Sequence, residues 1–240
     1  MSANVVACAA CAIVLAASAR AEDTRADARL DAILAACVRH ERVDYPLLRA
    51  KYLEGLRTEV QRLSALDLTH VSREAGMARD INLYNATVLT AVAERYHPGY
   101  SVAERDFALF KQPLVATARE KVSLNDWERQ IRERYHDPRV HVALNCAAVS
   151  CPPLRPQAYR AEDLDRVLDE NVRAFLHDRT RNPIDWERRR LRLSAIFDWY
   201  AEDFGGHAQL PAFVTRYLGR DLGQFTLSFV DYSWKLNEAE

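Results

Sequence analysis

Apolar residues recur at helical spacing through most of the chain and at strand spacing in three short stretches. Between Thr24 and His40 the stripe Ala28, Leu30, Ile33, Leu34 and Cys37 marks one helical face. Arg42-Val43-Asp44-Tyr45-Pro46 breaks that pattern, and a second helix is predicted from Leu47 to about Leu63. A third helix, Arg73 to Tyr96, carries Met77, Ile81, Tyr84, Val88, Leu89 and Val92 and stops at His97-Pro98-Gly99. Residues 100–125 read as irregular, with Phe107 and Phe110 as anchors and Pro113 limiting any helix. Leu124 to Tyr135 is a short amphipathic helix with Trp127 and Ile131 inward. Ala161 to His177 is a stronger one, and Glu162 and Asp163 in its first turn suit the helix dipole. Ser194 caps a helix over Ala195 to Phe204, with Trp199 and Phe204 inward and Gly205-Gly206 as the stop; Pro211 to Leu218 follows.

The three strand patterns are Arg190 to Leu193, Phe225 to Tyr232, and the stretch after Asp137-Pro138. In the last, alternation puts Val140, Val142 and Leu144 on one face and His141, Ala143 and Asn145 on the other, before Ser150-Cys151-Pro152-Pro153 forms a tight loop. The sum is an α+β fold, mostly helical with a small antiparallel sheet. No internal repeat and no low-complexity segment interrupts it.

Two polar features stand out. Asn85 lies four residues after Ile81 and four before Leu89, so it falls on the buried face of the third helix, with Asn82 one turn earlier. A buried carboxamide needs partners, because an unsatisfied polar group costs roughly 1–3 kcal/mol. The other feature is the gathering of His141, Asn145, Cys146, Ser150 and Cys151 within one short stretch.

Composition narrows the classes. With Lys+Arg 33 against Asp+Glu 34, and the two signs interspersed, the 240-residue chain lacks the basic surplus of a nucleic-acid footprint. Val5 to Ala17 is apolar but too short to span a bilayer, and Ala19-Arg20-Ala21 before Glu22-Asp23 reads as a cleavage site. Residues 1–21 are therefore expected to be a signal peptide cut after Ala21, and the product to be periplasmic or secreted. It would have no integral membrane segment. Residues 22–240 are expected to form a single domain with an N-terminal helical extension over about 22–65. Cys8 and Cys11 leave with the leader, so Cys37, Cys146 and Cys151 remain. Cys37 lies on an apolar stripe and reads as a small buried hydrophobe. Cys146 and Cys151 are close enough in sequence to bridge, if the loop geometry permits.

Four ordered blocks resemble one family. These are Asn82-Leu83-Tyr84-Asn85-Ala86; His141 through Pro153 with its Ala-Leu-Asn-Cys and Ser-Cys-Pro-Pro segments; Leu193-Ser194-Ala195-Ile196-Phe197-Asp198-Trp199-Tyr200-Ala201-Glu202-Asp203-Phe204-Gly205; and Tyr232-Ser233-Trp234-Lys235-Leu236-Asn237. Together they resemble the family called domain of unknown function 547, over roughly Asp44 to Asn237. One departure is Ala78-Arg79-Asp80, where that family usually has an aromatic residue. The resemblance implies a distant kinship with the papain-like and transglutaminase-like fold group, and it supplies no established activity.

A papain-like site places a Cys at a helix start, a His on a strand and an orienting Asn or Asp, in that chain order. Only Cys37 precedes His141, on an unrelated buried stripe, so that triad cannot be written. Two readings remain. In one, Cys151 or Cys146 is a relocated nucleophile for amide or thioester hydrolysis or transpeptidation, His141 is its base, and Asn85 or Asn145 orients the ring or stabilises an oxyanion. In the other, which weighs more at this stage, the fold is a non-catalytic binding domain of the cell envelope. There Cys146 and Cys151 are bridged, His141, Asn82 and Asn85 satisfy buried backbone groups, and Asn82, Asn85, Asn145 and Ser150 shape a cleft for a peptide-like or small-molecule ligand. The spacing of His141, Cys146 and Cys151 fits no standard zinc pattern, and neither metal nor cofactor is expected. Asp203 reads as a capping or salt-bridge residue.

Overall fold

The computed structural model describes residues 28–117 and 120–239. The leader expectation for residues 1–21 lies outside them. Helix α1 (28–37) runs into a hairpin of β1 (Val38–Arg39) and β2 (Arg42–Val43). A π-helical turn, Leu48–Tyr52, then opens α2 (Leu53–Ala65).

Helix α3 (Arg73–Arg95) is the element around which the rest is built. Ser72 caps it, its Oγ accepting from the Ala75 amide at 3.1 Å. From Gly76 to Leu89 every side of it is buried, the condition of a helix enclosed by its neighbours rather than lying on a surface. Polar residues on such a helix must be satisfied from inside. Each asparagine does this by clamping backbone. Asn82 donates to the Tyr159 carbonyl at 2.9 Å and accepts from the Tyr159 amide at 2.9 Å. Asn85 donates to the Ala143 carbonyl at 2.9 Å and accepts from the Asn145 amide at 2.8 Å. Each carboxamide thus supplies one donor and one acceptor, as a neighbouring strand would. Arg79 and Asp80 form a buried charged group. Asp80 accepts from Arg134 at 2.6 Å and from the Tyr135 hydroxyl at 2.7 Å, and the Arg79 guanidinium lies over Trp127.

Residues 100–125 hold more structure than their pattern announced. Glu104–Lys111 form a short helical segment, α4, entered through three left-handed residues, Arg105, Asp106 and Phe107. Behind it come the hairpin of β3 (Val115–Ala116) and β4 (Lys121–Val122) and helix α5 (Leu124–Tyr135).

The strand expected after Asp137 is a 3-10 turn, Pro138–Val142. Asp137 accepts from the Arg139 amide at 3.0 Å and Pro138 occupies the first turn, which is the chemistry of a helix start. The alternation misleads because both sides of the segment are buried. Val140 packs into the core around α3, whereas Val142 belongs to a second core beneath α6 (Leu164–His177). The segment runs between the two.

That second core is closed by β5 (Ile184–Asp185), β6 (Arg190–Ser194) and β7 (Thr226–Val230). Strands β5 and β6 pair antiparallel; β6 and β7 pair parallel, from Arg190 opposite Thr226 to Ser194 opposite Val230. The fold is α+β, mostly helical, and its antiparallel pairing lies in the hairpins, at the β5–β6 edge and in the isolated bridges Ser101–Lys235 and Ala148–Leu236. Helix α7 (Ala195–Trp199) ends earlier than its pattern suggests and gives way to a 3-10 turn, Ala201–Phe204, closed by Gly205 at φ 88°. The break at Tyr200 swings Trp199 outward, so it is 49% exposed, while Phe204 stays buried. Helix α8 (Leu210–Leu218) completes the set. Among the described residues no helix is long and apolar enough to cross a membrane.

Candidate functional site

The peptide after the 3-10 turn is held on three sides. Asn85 fixes the backbone at Ala143 and Asn145. Asn145 then accepts from the Ala147 amide at 2.9 Å and donates to the Pro152 carbonyl at 2.8 Å, closing the loop that contains both cysteines. Ala147 takes a left-handed conformation, φ 62°, inside that loop. The C-terminal segment forms the third side. Ser150 Oγ accepts from the Ser233 amide at 2.8 Å, and the Asn237 amide donates to the Ala147 carbonyl at 2.9 Å. This pairing sets Tyr232 beside Cys146. Asn82, Asn85, Asn145 and Ser150 are accordingly committed to backbone groups, and none of the four lines the pocket described next.

The two cysteines are free, with their sulfurs 2.7 Å apart, longer than the roughly 2.0 Å of a disulfide. They are not equivalent. Cys151 is buried, and burial pushes its thiol well up; the Cys146 sulfur beside it pushes it further. Cys146 is half-buried and is shifted down. The Cys151 thiol is the main cause, with the Tyr232 hydroxyl at 3.2 Å from Cys146 Sγ and the Ala148 amide adding to it. Two thiols this close share their first ionisation, and the proton leaves the less buried of the two. Burial keeps Tyr232 protonated and so able to donate. Cys37 lies apart, and burial raises it to about 11, a thiol at neutral pH.

A testable consequence is that the alkylation rate of Cys146 should rise with pH through a midpoint below about 8.5, the ordinary thiol value. Tyr232→Phe removes a hydroxyl that favours the thiolate and is expected to move that midpoint upward. Iodoacetamide rates followed by mass spectrometry across the pH range check it, and coincident profiles for the two proteins would remove Tyr232 from this role.

Cys146 and Cys151 open on a pocket of about 310 Å³, which they share with His141, Leu144, Tyr200, Trp199, Tyr232 and Trp234. His141 is held on its far side. Its Nε2 lies 2.7 Å from Asp203 Oδ2, and Arg132 Nε donates to the same oxygen at 2.6 Å. The Tyr200 ring stacks on the imidazole at 4.1 Å and carries the Arg132 guanidinium over its plane. His141, followed by Arg132, keeps the Asp203 carboxyl well below the ordinary carboxylate range despite its partial burial. An ionised Asp203 only accepts, so Nε2 carries a proton and the neutral ring leaves Nδ1 as an acceptor. Among the described residues no group hydrogen-bonds that second nitrogen, and none joins His141 directly to either thiol.

The group on the imidazole is thus Asp203, not Asn85 or Asn145. Sequence reasoning missed it because 62 residues separate the partners. The available signal was the invitation to explain an acid between Trp199-Tyr200 and Phe204-Gly205. Tyr232 and Tyr200 were missed for the same reason. No cluster of three His, Cys, Asp or Glu side chains arranged to hold a metal occurs among the described residues.

Fold and site together define an α+β protein in which a thiol pair and an imidazole backed by a carboxylate face one aromatic pocket. Residues 68–176 match the family model described as protein of unknown function, DUF547. The match contains α3, the 3-10 turn and the cysteine loop, whereas Asp203, Tyr232 and Trp234 lie beyond it. No curated protein and no solved structure matches the chain, so the papain-like kinship has no support from them.

Proposed function

We propose that this protein is a cysteine-dependent acyl-transfer enzyme acting on amide or thioester bonds, with Cys146 as the nucleophile. The observation that carries the reading is the half-buried Cys146 thiol, favoured as thiolate by its neighbours, opening on the same pocket as an imidazole whose Nε2 is occupied by a carboxylate. In this reading Cys146 Sγ attacks the carbonyl carbon and a thioester replaces the bond to the leaving group. His141 Nδ1 takes the thiol proton and returns it to the departing nitrogen or sulfur, while Asp203 holds the ring in place. Water or a second nucleophile then releases the acyl group. Contacts of this kind are often long without substrate and tighten in the complex. Export after cleavage at Ala21 belongs to the same proposal.

A second reading is favoured by the proximity of the two sulfurs. In an oxidising compartment a bridged pair would leave an inert pocket that binds a peptide-like or small-molecule ligand. Thiol labelling of non-reduced protein separates the two. Labelling at Cys146 that falls sharply in His141→Ala supports the enzyme; two cysteines that label only after reduction support the binding domain and overturn it.

A further inference from the structure

A tryptophan half exposed at the mouth of a pocket, with its inner face on another aromatic ring, calls for a physical explanation. Trp199 stacks nearly parallel on Trp234, with centroids 5.7 Å apart and planes 7° apart, and it lies 4.8 Å from the Tyr232 ring. Phe107 meets Trp234 edge-on at 4.8 Å and buttresses it from behind. The shelf is continuous with the site, because the Tyr232 hydroxyl that touches Cys146 Sγ belongs to the ring that touches Trp199. One tyrosine therefore spans the gap between thiol and shelf. Two separate segments build it, α7 and the C-terminal strand-like run, so no single helix face accounts for it by packing. The rings present faces and edges to the pocket. The polar lining groups Asn125, Glu128 and Lys111 come from other elements.

We infer that this shelf is the acyl-side subsite, and that the substrate is an acyl donor with an arylalkyl group, such as a phenylalanyl residue, next to the carbonyl under attack. The inference rests on the acyl-transfer reading above. With the carbonyl at Cys146, a side chain one ring in length lies along Tyr232 and its aromatic group stacks on Trp199. Offset stacking rewards a flat π-face more than an aliphatic chain of equal area.

The test compares inactivation of Cys146 by N-acetyl-phenylalanyl and N-acetyl-alanyl chloromethyl ketones, with iodoacetamide as the small control. The phenylalanyl reagent is expected to react about tenfold faster than the alanyl one, a difference of the size of one stacked aromatic contact. In Trp199→Ala that ratio, with each rate normalised to the iodoacetamide rate of the same protein, should fall to near unity. Trp199→Leu, which keeps apolar bulk without the ring, should behave like Trp199→Ala. A ratio near unity in the wild type, or one that survives both substitutions, overturns the inference. Failure of every reagent to modify Cys146 would instead overturn the enzyme reading. The shelf is then judged by titrating Cys146→Ser protein with N-acetyl-phenylalaninamide and with methyl glucoside. Saturable binding of the amide that Trp199→Ala abolishes keeps it; binding of the glucoside alone, or of neither, overturns it.

Discussion

Asn85→Ala is expected to lower the unfolding free energy by about 2–6 kcal/mol, since it strands two buried backbone groups at about 1–3 kcal/mol each. The groups are the Ala143 carbonyl and the Asn145 amide, which flank the entrance to the cysteine loop. Asn85 itself is 6% exposed, so water has little access to replace it. Asn85→Asp is a stringent companion, because a carboxylate can accept from Asn145 but cannot donate to Ala143. Urea unfolding midpoints at constant m-value give the result, and a loss below about 0.5 kcal/mol, the scale of an ordinary surface change, would refute the clamp. Asn82 makes the matching pair of bonds to Tyr159, and a comparable loss follows there.

The second large effect concerns Asp203. Asp203→Asn keeps the shape but removes the charge that holds His141 and Arg132. A drop on the order of 10²–10⁴ in the acylation rate of Cys146 by an activated thioester is expected, the usual range for losing general acid–base assistance. Thermal unfolding of the same variant distinguishes this from misfolding, because Arg132 is partly exposed and can be hydrated when its partner is lost. An acylation rate within threefold of wild type would exclude the proposed role. The same carboxyl gives a pH dependence with a definite sign. Its folded pKa is depressed below the unfolded value of about 3.9, so the unfolded state binds more protons in acid. The stability it contributes is present above that value and is lost as pH falls through the folded pKa. Asp203→Asn should remove this part of the acid sensitivity, measurable as a flatter stability profile below about pH 4.

The long helices were legible because their stripes face one continuous core. Apolar periodicity and the stop at His97-Pro98-Gly99 put Arg73–Arg95 and Leu124–Tyr135 within a residue of where they lie, and in the structure Ser72 and Ser123 cap their starts. The 3-10 turn at Pro138–Val142 was not, because a segment buried on both sides shows alternation without being a strand. Trp199 illustrates the opposite failure. An apolar residue at helical spacing reads as inward, yet the helix ends under it and releases it to the pocket mouth. Of the candidate site, His141, Cys146 and Cys151 could be read from one stretch, whereas their different ionisation could not.

By itself the sequence determined the α+β class, the family blocks, the burial of Asn82 and Asn85 and the single stretch where reactive groups collect. These are local matters, set by periodicity, capping and residue chemistry over a few turns of chain. The tertiary structure alone decided which backbone groups the asparagines serve, that Asp203 rather than an asparagine holds His141, and that Cys146 is the more acidic thiol. It also decided that Tyr232 and Trp199 join that thiol to one pocket. Each of these is a contact between groups far apart in the chain, from 33 residues for Trp199 and Tyr232 to 86 for Cys146 and Tyr232, or a difference in burial between neighbours. Such relations depend on how the two cores close on each other, and no short-range pattern encodes that.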